Sequence, residues 1–264
     1  MKHPDHPGPQ EVLRDCDEHA KMFHVKLQNT PTPPDQDDIR AALEASGITM
    51  TAAQTALLAV HAASVLTANT TTNLTRITDP SDFIRLHIVD SLMVLKFVDL
   101  HQGELIDVGS GAGFPGIPLS IAGCTVTLCE ARKKKAAYLD LWVREMGLDA
   151  CVLALRAEEV VRSAAKYEFV VTRAVSSLAS LLELSSPLLS ENGRLLAMKG
   201  IRSEDEEQKA ARAARLTGMD LDRVSEYVLP GGDERRTLYV YRRVGPARMS
   251  LPRRPGLAQS EPLG

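Results

Sequence analysis

The stretch Leu105–Leu119, LIDVGSGAGFPGIPL, decides how the rest of the chain is read. Leu105, Ile106 and Val108 form a short apolar run, the pattern of a strand buried on both faces. Asp107 sits near its end. Gly109, Gly111, Gly113 and Gly116 follow, separated by small residues, Phe114 and Pro115. Glycine allows positive φ and lets backbone come close to a ligand. Pro115 has no N–H to donate, which suits the first turn of a helix. The stretch therefore predicts a strand, a tight glycine turn and a helix start, with free N–H groups aimed at a bound ligand. A plain turn does not need four glycines so close together, because each carries an entropic cost.

Two ligand classes fit this pattern. Gly111, Gly113 and Gly116 satisfy G-x-G-x-x-G, the dinucleotide fingerprint. Asp107, Gly109, Gly111 and Gly113 give D-x-G-x-G-x-G, the usual first motif of S-adenosylmethionine (SAM) methyltransferases. An acid at the strand end favours the second, since it pairs with an ammonium and repels a pyrophosphate.

Working downstream, the chain alternates. Strands are expected at Thr125–Cys129, Ala150–Leu155, Phe169–Val171 and Leu195–Met198. Helices are expected at Arg132–Met146, from Val161 to about Lys166, and at Leu178–Leu189 and Glu204–Leu216. Asp222–Leu229 and Thr237–Tyr241 close the series as an antiparallel edge pair. Repeated β-α units imply a doubly wound, mostly parallel seven-stranded α/β sheet with right-handed crossovers. Ligands bind outside the carboxyl ends of such strands. The residues expected there are Asp107 to Gly113, Glu130, Ala157, Glu158, Arg173 and Lys199. Glu130 lies about twenty residues past the glycines, where an acid accepts the hydroxyls of a ribose. That position suits NAD and SAM alike. No Tyr-x-x-x-Lys pair follows the glycine motif and no histidine follows His101, which weakens the NAD reading.

Upstream, residues 1–38 are rich in Pro, His and Asp and read as a mobile extension with a weakly helical stretch at Glu11–Leu27. His3, His6, His19 and His24 are irregularly spaced, so no metal site is expected. Residues 39–102 read as a helical N-terminal part. Ile39–Ala45 and Thr51–Thr67 are its first helices, and a polar loop, TANTTTNLTRITDP, follows them. Pro80 is placed to start a further helix, along which His87 and Asp90 share a face. Residues 103–244 form the ligand-binding core.

The chain has 264 residues, 44% hydrophobic and 25% charged, with a net charge of −3. It is no polycation, so any nucleic-acid contact must come from local basic patches. No run is apolar enough to span a membrane and no signal-peptide pattern opens it. Cys16, Cys124, Cys129 and Cys151 lack C-x-x-C spacing and read as reduced thiols of a cytoplasmic protein. A monomer is expected. From Glu234 onward there are seven arginines against two glutamates, broken by prolines. Residues 245–264 therefore read as an extended basic segment, either a solvated tail or an arm that contacts phosphates.

Taken together, these motifs resemble a known family. Asn73-Leu74-Thr75, His87-x-x-Asp90-Ser91-Leu92, DVGSGAGFPGIPL, Arg156-Ala157-Glu158, Thr172-Arg173-Ala174 and Met198-Lys199-Gly200 are similar, in this order, to the RsmG (GidB) methyltransferases. The ending Pro252-Arg253-Arg254-Pro255-Gly256 resembles that family's C-terminal P-R-x-x-G arm. The resemblance implies a class I SAM-dependent, Rossmann-like fold and methyl transfer from SAM to N7 of a guanine in 16S ribosomal RNA. It implies SAM contacts at Gly109, Phe114, Ala157, Glu158 and Arg173. It places Arg173 between cofactor and substrate, sets Asn73, His87, Asp90 and Lys199 around the pocket, and turns the basic segment toward RNA. Methylation of another RNA or a small molecule, and a non-catalytic nucleotide-binding module, are the alternatives.

Overall fold

The computed structural model describes residues 31–163 and 165–264. The expected helix at Glu11–Leu27, the four N-terminal histidines and Cys16 lie outside the described residues. Helix α1 (Gln36–Ala45) is capped by Asp35, whose carboxylate accepts from Asp37 N–H. Helix α2 (Ala52–Thr72) opens with a capping box of Thr51 and Gln54. It runs further than expected, through the first six residues of the polar loop. The threonine hydroxyls bond back to their own helix, Thr67 to Ala63 O at 2.8 Å and Thr70 to Thr67 O at 2.8 Å. This spares the helix the competition such side chains usually bring. Asn73 then stops it in the left-handed region at φ 48°.

The next helical stretch, α3, is α-helical at Pro80–Phe83, π-helical at Ile84–Val89, α-helical at Asp90–Leu92 and 3₁₀ at Met93–Lys96. Single π turns of this kind often occur at functional sites. Strand β1 (Leu105–Val108) follows, then α4 (Gly116–Ile121), β2 (Val126–Cys129), α5 (Lys133–Glu145) and β3 (Ala150–Leu153). Next come α6 (Ala157–Val160), β4 (Tyr167–Arg173), α7 (Leu178–Ser185), β5 (Leu189–Lys199) and α8 (Glu204–Thr217). Strands β6 (Met219–Val228) and β7 (Arg235–Arg243) and the short α9 (Leu257–Ser260) complete the order. The helix expected from Val161 shrinks to α6 and one 3₁₀ turn, Val161–Ser163.

The sheet has seven strands in the order β3-β2-β1-β4-β5-β7-β6, and β7 alone runs antiparallel to its neighbours. Its position has a physical reason. Thr237 to Tyr241 in β7 are all buried, whereas β6 alternates polar and apolar residues and is largely exposed. A strand apolar on both faces belongs inside, and the half-polar strand takes the edge. Alternation along the strands splits the core in two. Leu105, Leu128, Val171 and Leu196 face one layer, together with Ile39, Leu58, Val65 and Leu92 of the N-terminal helices. Ile106, Val108, Val170 and Tyr239 face the other, together with Leu182, Ala213 and Ala258.

The residues after Val244 do not extend into solvent. Arg253 pairs with Glu183, Gly256 N–H donates to Glu158, and Ala258 is 2% exposed. This corrects the expectation of an extended segment: apolar contacts and two carboxylates of the body hold it down.

The inner position of β7 makes a testable contrast. Leu238→Ala in β7, at 1% exposure, should cost about 2–5 kcal/mol in urea denaturation, and Leu221→Ala in β6, at 51% exposure, less than about 0.5 kcal/mol.

Candidate functional site

The glycine loop is shaped from below by Asp107. Its carboxylate is fully buried, and Oδ2 accepts from Gly116 N–H at 3.0 Å, so the acid clips the loop to the start of α4. Burial raises this carboxyl to about 7, against the lowering effect of the Gly116 bond. Gly109, Gly111 and Gly113 take φ of 81°, 60° and 99°, as a turn of this kind requires. Gly116 does not; it is small for another reason, because a methyl group there would collide with Leu128 and the Asp107 carboxylate. Gly111 differs again. A methyl group there would meet nothing closer than Gly109 O at 3.8 Å, so this point of the loop faces open space.

Glu130, just past the end of β2, caps the same loop. Its Oε2 accepts from Gly111 N–H at 3.0 Å and its Oε1 from Arg132 N–H at 2.7 Å. Val108, Gly109, Glu130, Ala157, Glu158 and Gln259 border a pocket of about 100 Å³ at the carboxyl end of β1 and β2. Val175 narrows it by packing against Gly109. A loop of backbone amides, one open glycine, and two carboxylates at 7% and 8% exposure suit the hydroxyls and base of a nucleoside. The donor set therefore fits a nucleoside-bearing cofactor.

Beside this pocket, the end of β4 and the π turn of α3 meet through Arg173. NH1 donates to Leu86 O at 3.0 Å and to Asp90 Oδ2 at 3.2 Å, and NH2 lies 3.3 Å from His87 Nδ1. A guanidinium only donates, so His87 Nδ1 is the acceptor and its Nε2–H points to Thr75 Oγ1 at 2.7 Å. His87 is therefore neutral, and burial followed by the charge of Arg173 lowers it to about 3. The imidazole stacks on Phe114 at 4.5 Å and 7°. The guanidinium carbon sits 5.6 Å above the same ring. Phe114 thus lies in an aromatic cluster with Phe83, His61 and His87, and only 6% of it is exposed.

The sequence-predicted residues therefore separate into groups. Asp107, Gly109, Gly111, Gly113 and Glu130 build the loop. Ala157 and Glu158 flank it. His87, Asp90, Arg173 and Phe114 form one contact network. Lys199 stands apart from them, with Nζ bonded to Ser176 O at 2.9 Å and paired with Glu206 at 2.7 Å. Asn73 lies in a cleft with Thr71, Thr72 and Arg132 to Lys135. Two residues, Arg236 and His61, escaped the sequence reading, as did the backbone shape at Ala174. Arg236 shares Asp90 with Arg173, bonding both carboxylate oxygens at 3.2 Å. Ala174 holds φ 55°, a strained turn that aims Arg173 and Val175. His61 is buried beside Gly113, and neither ring nitrogen is bonded among the described residues. Nothing local marks them: Arg236 is one of a run of arginines, and His61 sits in an apolar helix stripe.

The strand order and the loop at the carboxyl ends of β1 and β2 define a class I methyltransferase fold. The profile of the GidB family, described as rRNA small subunit methyltransferase G, matches residues 54–236. The chain belongs to this family. A relative from Pelotomaculum thermopropionicum, named Ribosomal RNA small subunit methyltransferase G, is 38% identical over 86% of this chain and 98% of its own length. One of the same name from Chloroflexus aggregans is 41% identical over 72% of this chain and 82% of its own. A solved structure described as ribosomal protein L11 methylase, from Lactobacillus delbrueckii subsp. bulgaricus, is similar at a TM-score of 0.46 and 14% identity. It covers 59% of this chain and 77% of that one.

Three buried groups set a pH dependence of stability. His61 and His87 are both lowered to about 3, by burial first. Unfolded, each binds a proton below about 6.5, so each stabilises less as pH falls through that value. Asp107 has the opposite sign: raised to about 7, its contribution is full below the unfolded value and lost as pH rises. Two histidines against one aspartate leave stability falling with acidification, by a net of about one proton, between about pH 5 and 6. His61→Leu should flatten urea-measured stability across that window.

Proposed function

We propose that this protein transfers methyl from SAM to N7 of a guanine in the RNA of the small ribosomal subunit, working in the cytoplasm. The observation that carries the reading is the meeting, at the carboxyl ends of the central strands β1 and β4, of an acid-flanked glycine loop and the buried Arg173–His87–Phe114 network, in a chain of this family. Glu130 would hold the ribose hydroxyls of SAM, the amides at Gly109 to Gly113 would line its path, and Ala157 and Glu158 would flank its base. Asp107 acts by clipping the loop through the N–H of Gly116. When bound, SAM supplies an electrophilic methyl group on a sulfonium.

Guanine N7 carries a free lone pair, so no proton has to leave before attack and no general base is required. What the chain must do is hold N7 in line and keep water out. Arg173 has five N–H donors, and its three bonds among the described residues leave Nε–H and one hydrogen of NH2 over. These suit O6 of the guanine, which flanks N7 on the same edge. His87 and Asp90 position Arg173, since their polar atoms are engaged with it and with Thr75 or Arg236. Lys199, held by Ser176 and Glu206, orders the turn after β4 and remains a candidate for a phosphate contact. Asn73 lies in the cleft with Arg132, Lys133, Lys134 and Lys135. Among the described residues none of these four cations forms an ion pair, so the cleft is where the RNA backbone would approach.

Calorimetry should show binding of SAM and S-adenosylhomocysteine and none of NAD; the reverse would overturn the reading. Gly111→Val should abolish that binding, because it fills the open point of the loop. Arg173→Ala should keep S-adenosylhomocysteine affinity within a few-fold while single-turnover methyl transfer to small subunits falls about a hundredfold. A normal rate would make Arg173 purely structural. Replacing Lys133, Lys134 and Lys135 together by Gln should make the log–log salt dependence of RNA binding shallower by about two units.

A further inference from the structure

The C-terminal segment uses its charge on the protein itself. Arg253 grips Glu183 as a fork, Nε to Oε1 at 2.7 Å and NH2 to Oε2 at 2.5 Å, and NH2 also donates to Glu261 O at 2.6 Å. The Glu183 side chain is 1% exposed, and Arg253 is its one cationic partner among the described residues. A buried carboxylate of this kind needs that partner, because desolvation penalises an unpaired charge heavily. Three residues on, Gly256 takes φ 85° and its N–H donates to Glu158 Oε1 at 2.8 Å. The chain then turns into α9, where Ala258 packs against the core and Gln259 borders the pocket beside Glu130 and Glu158. Glu158 Oε2 takes no hydrogen bond from the described residues, so one oxygen seats the segment and the other is left to a ligand.

We propose that the segment from Arg253 to Ser260 is the outer wall of the nucleoside end of the cofactor pocket. Glu183 latches it and Glu158 shares its carboxylate between the segment and the cofactor. The inference rests on the SAM reading above. It gives the arginine of the P-R-x-x-G ending a different task from phosphate binding: its charge is already neutralised by Glu183, so it has little left for RNA. Gln259, an exposed side chain with no core contact, becomes a specificity residue at the pocket rim.

Point variants of the full chain test this, with S-adenosylhomocysteine as the probe. Gln259→Trp projects an indole into a pocket of about 100 Å³ and should raise the Kd at least tenfold with the melting temperature unchanged. Arg253→Ala should weaken S-adenosylhomocysteine binding several-fold and leave the salt slope of RNA binding as it was. Two results would overturn the proposal: both variants binding S-adenosylhomocysteine as the unaltered chain does, or Arg253→Ala making the RNA salt slope shallower by about 0.7 to 0.9 with cofactor affinity intact, which would mark an RNA arm. No binding by the unaltered chain would remove the SAM reading and this inference together.

Discussion

The burial of one cation, Arg173, is the constraint on which the rest of the site depends. Its side chain is 13% exposed, and burial lowers its affinity for its proton against the pull of Asp90. A guanidinium there persists because acceptors meet three of its N–H groups and a π face covers it. The acceptors come from the π turn of α3, Leu86 O and the His87 ring, and from Asp90 just after it. The ion pair thus ties the N-terminal helical layer to the strand end where the chemistry is expected. Arg236 on β7 braces Asp90 from the other side, so the inserted antiparallel strand also serves the site.

The same logic governs the loop. A carboxylate without access to water is tolerated at Asp107 because Gly116 N–H meets one oxygen and burial favours the protonated form. Packing then fixes the loop from the side. Phe114 is held among Phe83, His61 and His87, while Gly113 leaves no room between Ile117, His61 and Leu139. Loop and cation are one rigid unit, since Phe114 belongs to the first and carries the second on its face. A pocket built this way is set in advance, which is what alignment-driven catalysis asks of it.

Much of this was legible in the chain. The strand, the glycine spacing and Asp107 are local features with local causes, and the β-α alternation fixes strand direction through handedness alone. What escaped depends on distant partners. Arg253 reads as a free cation until Glu183, far upstream, is folded beside it. Glu158 reads as a pocket acid, and nothing near it in sequence foretells the amide it accepts from Gly256. Phe114 reads as a loop residue exposed to ligand and is instead buried by rings from two helices. The polar stretch after Thr67 reads as a loop because threonine and asparagine disfavour helix; in the fold the threonines bond back to the preceding turn and Asn69 Oδ1 accepts from the N–H groups of Leu74 and Thr75 past the helix end. The antiparallel pair of last strands was legible as an edge pair; which of the two lies inside depends on burial, and Thr237 to Tyr241 are all buried.

The account makes the protein a guanine-N7 methyltransferase of small-subunit RNA, and the product is the most direct witness. N7-methylguanosine weakens its glycosidic bond, so reduction and aniline treatment cleave the RNA at that nucleotide. Mapping such cleavage, together with nucleotide mass, across 16S RNA from cells with and without this gene reads the claim in one step. The account predicts one N7-methylguanosine present with the gene and absent without it, restored by the intact chain and not by Arg173→Ala. An unchanged pattern of modified nucleotides, or loss of a methyl group at any position other than a guanine N7, would contradict it.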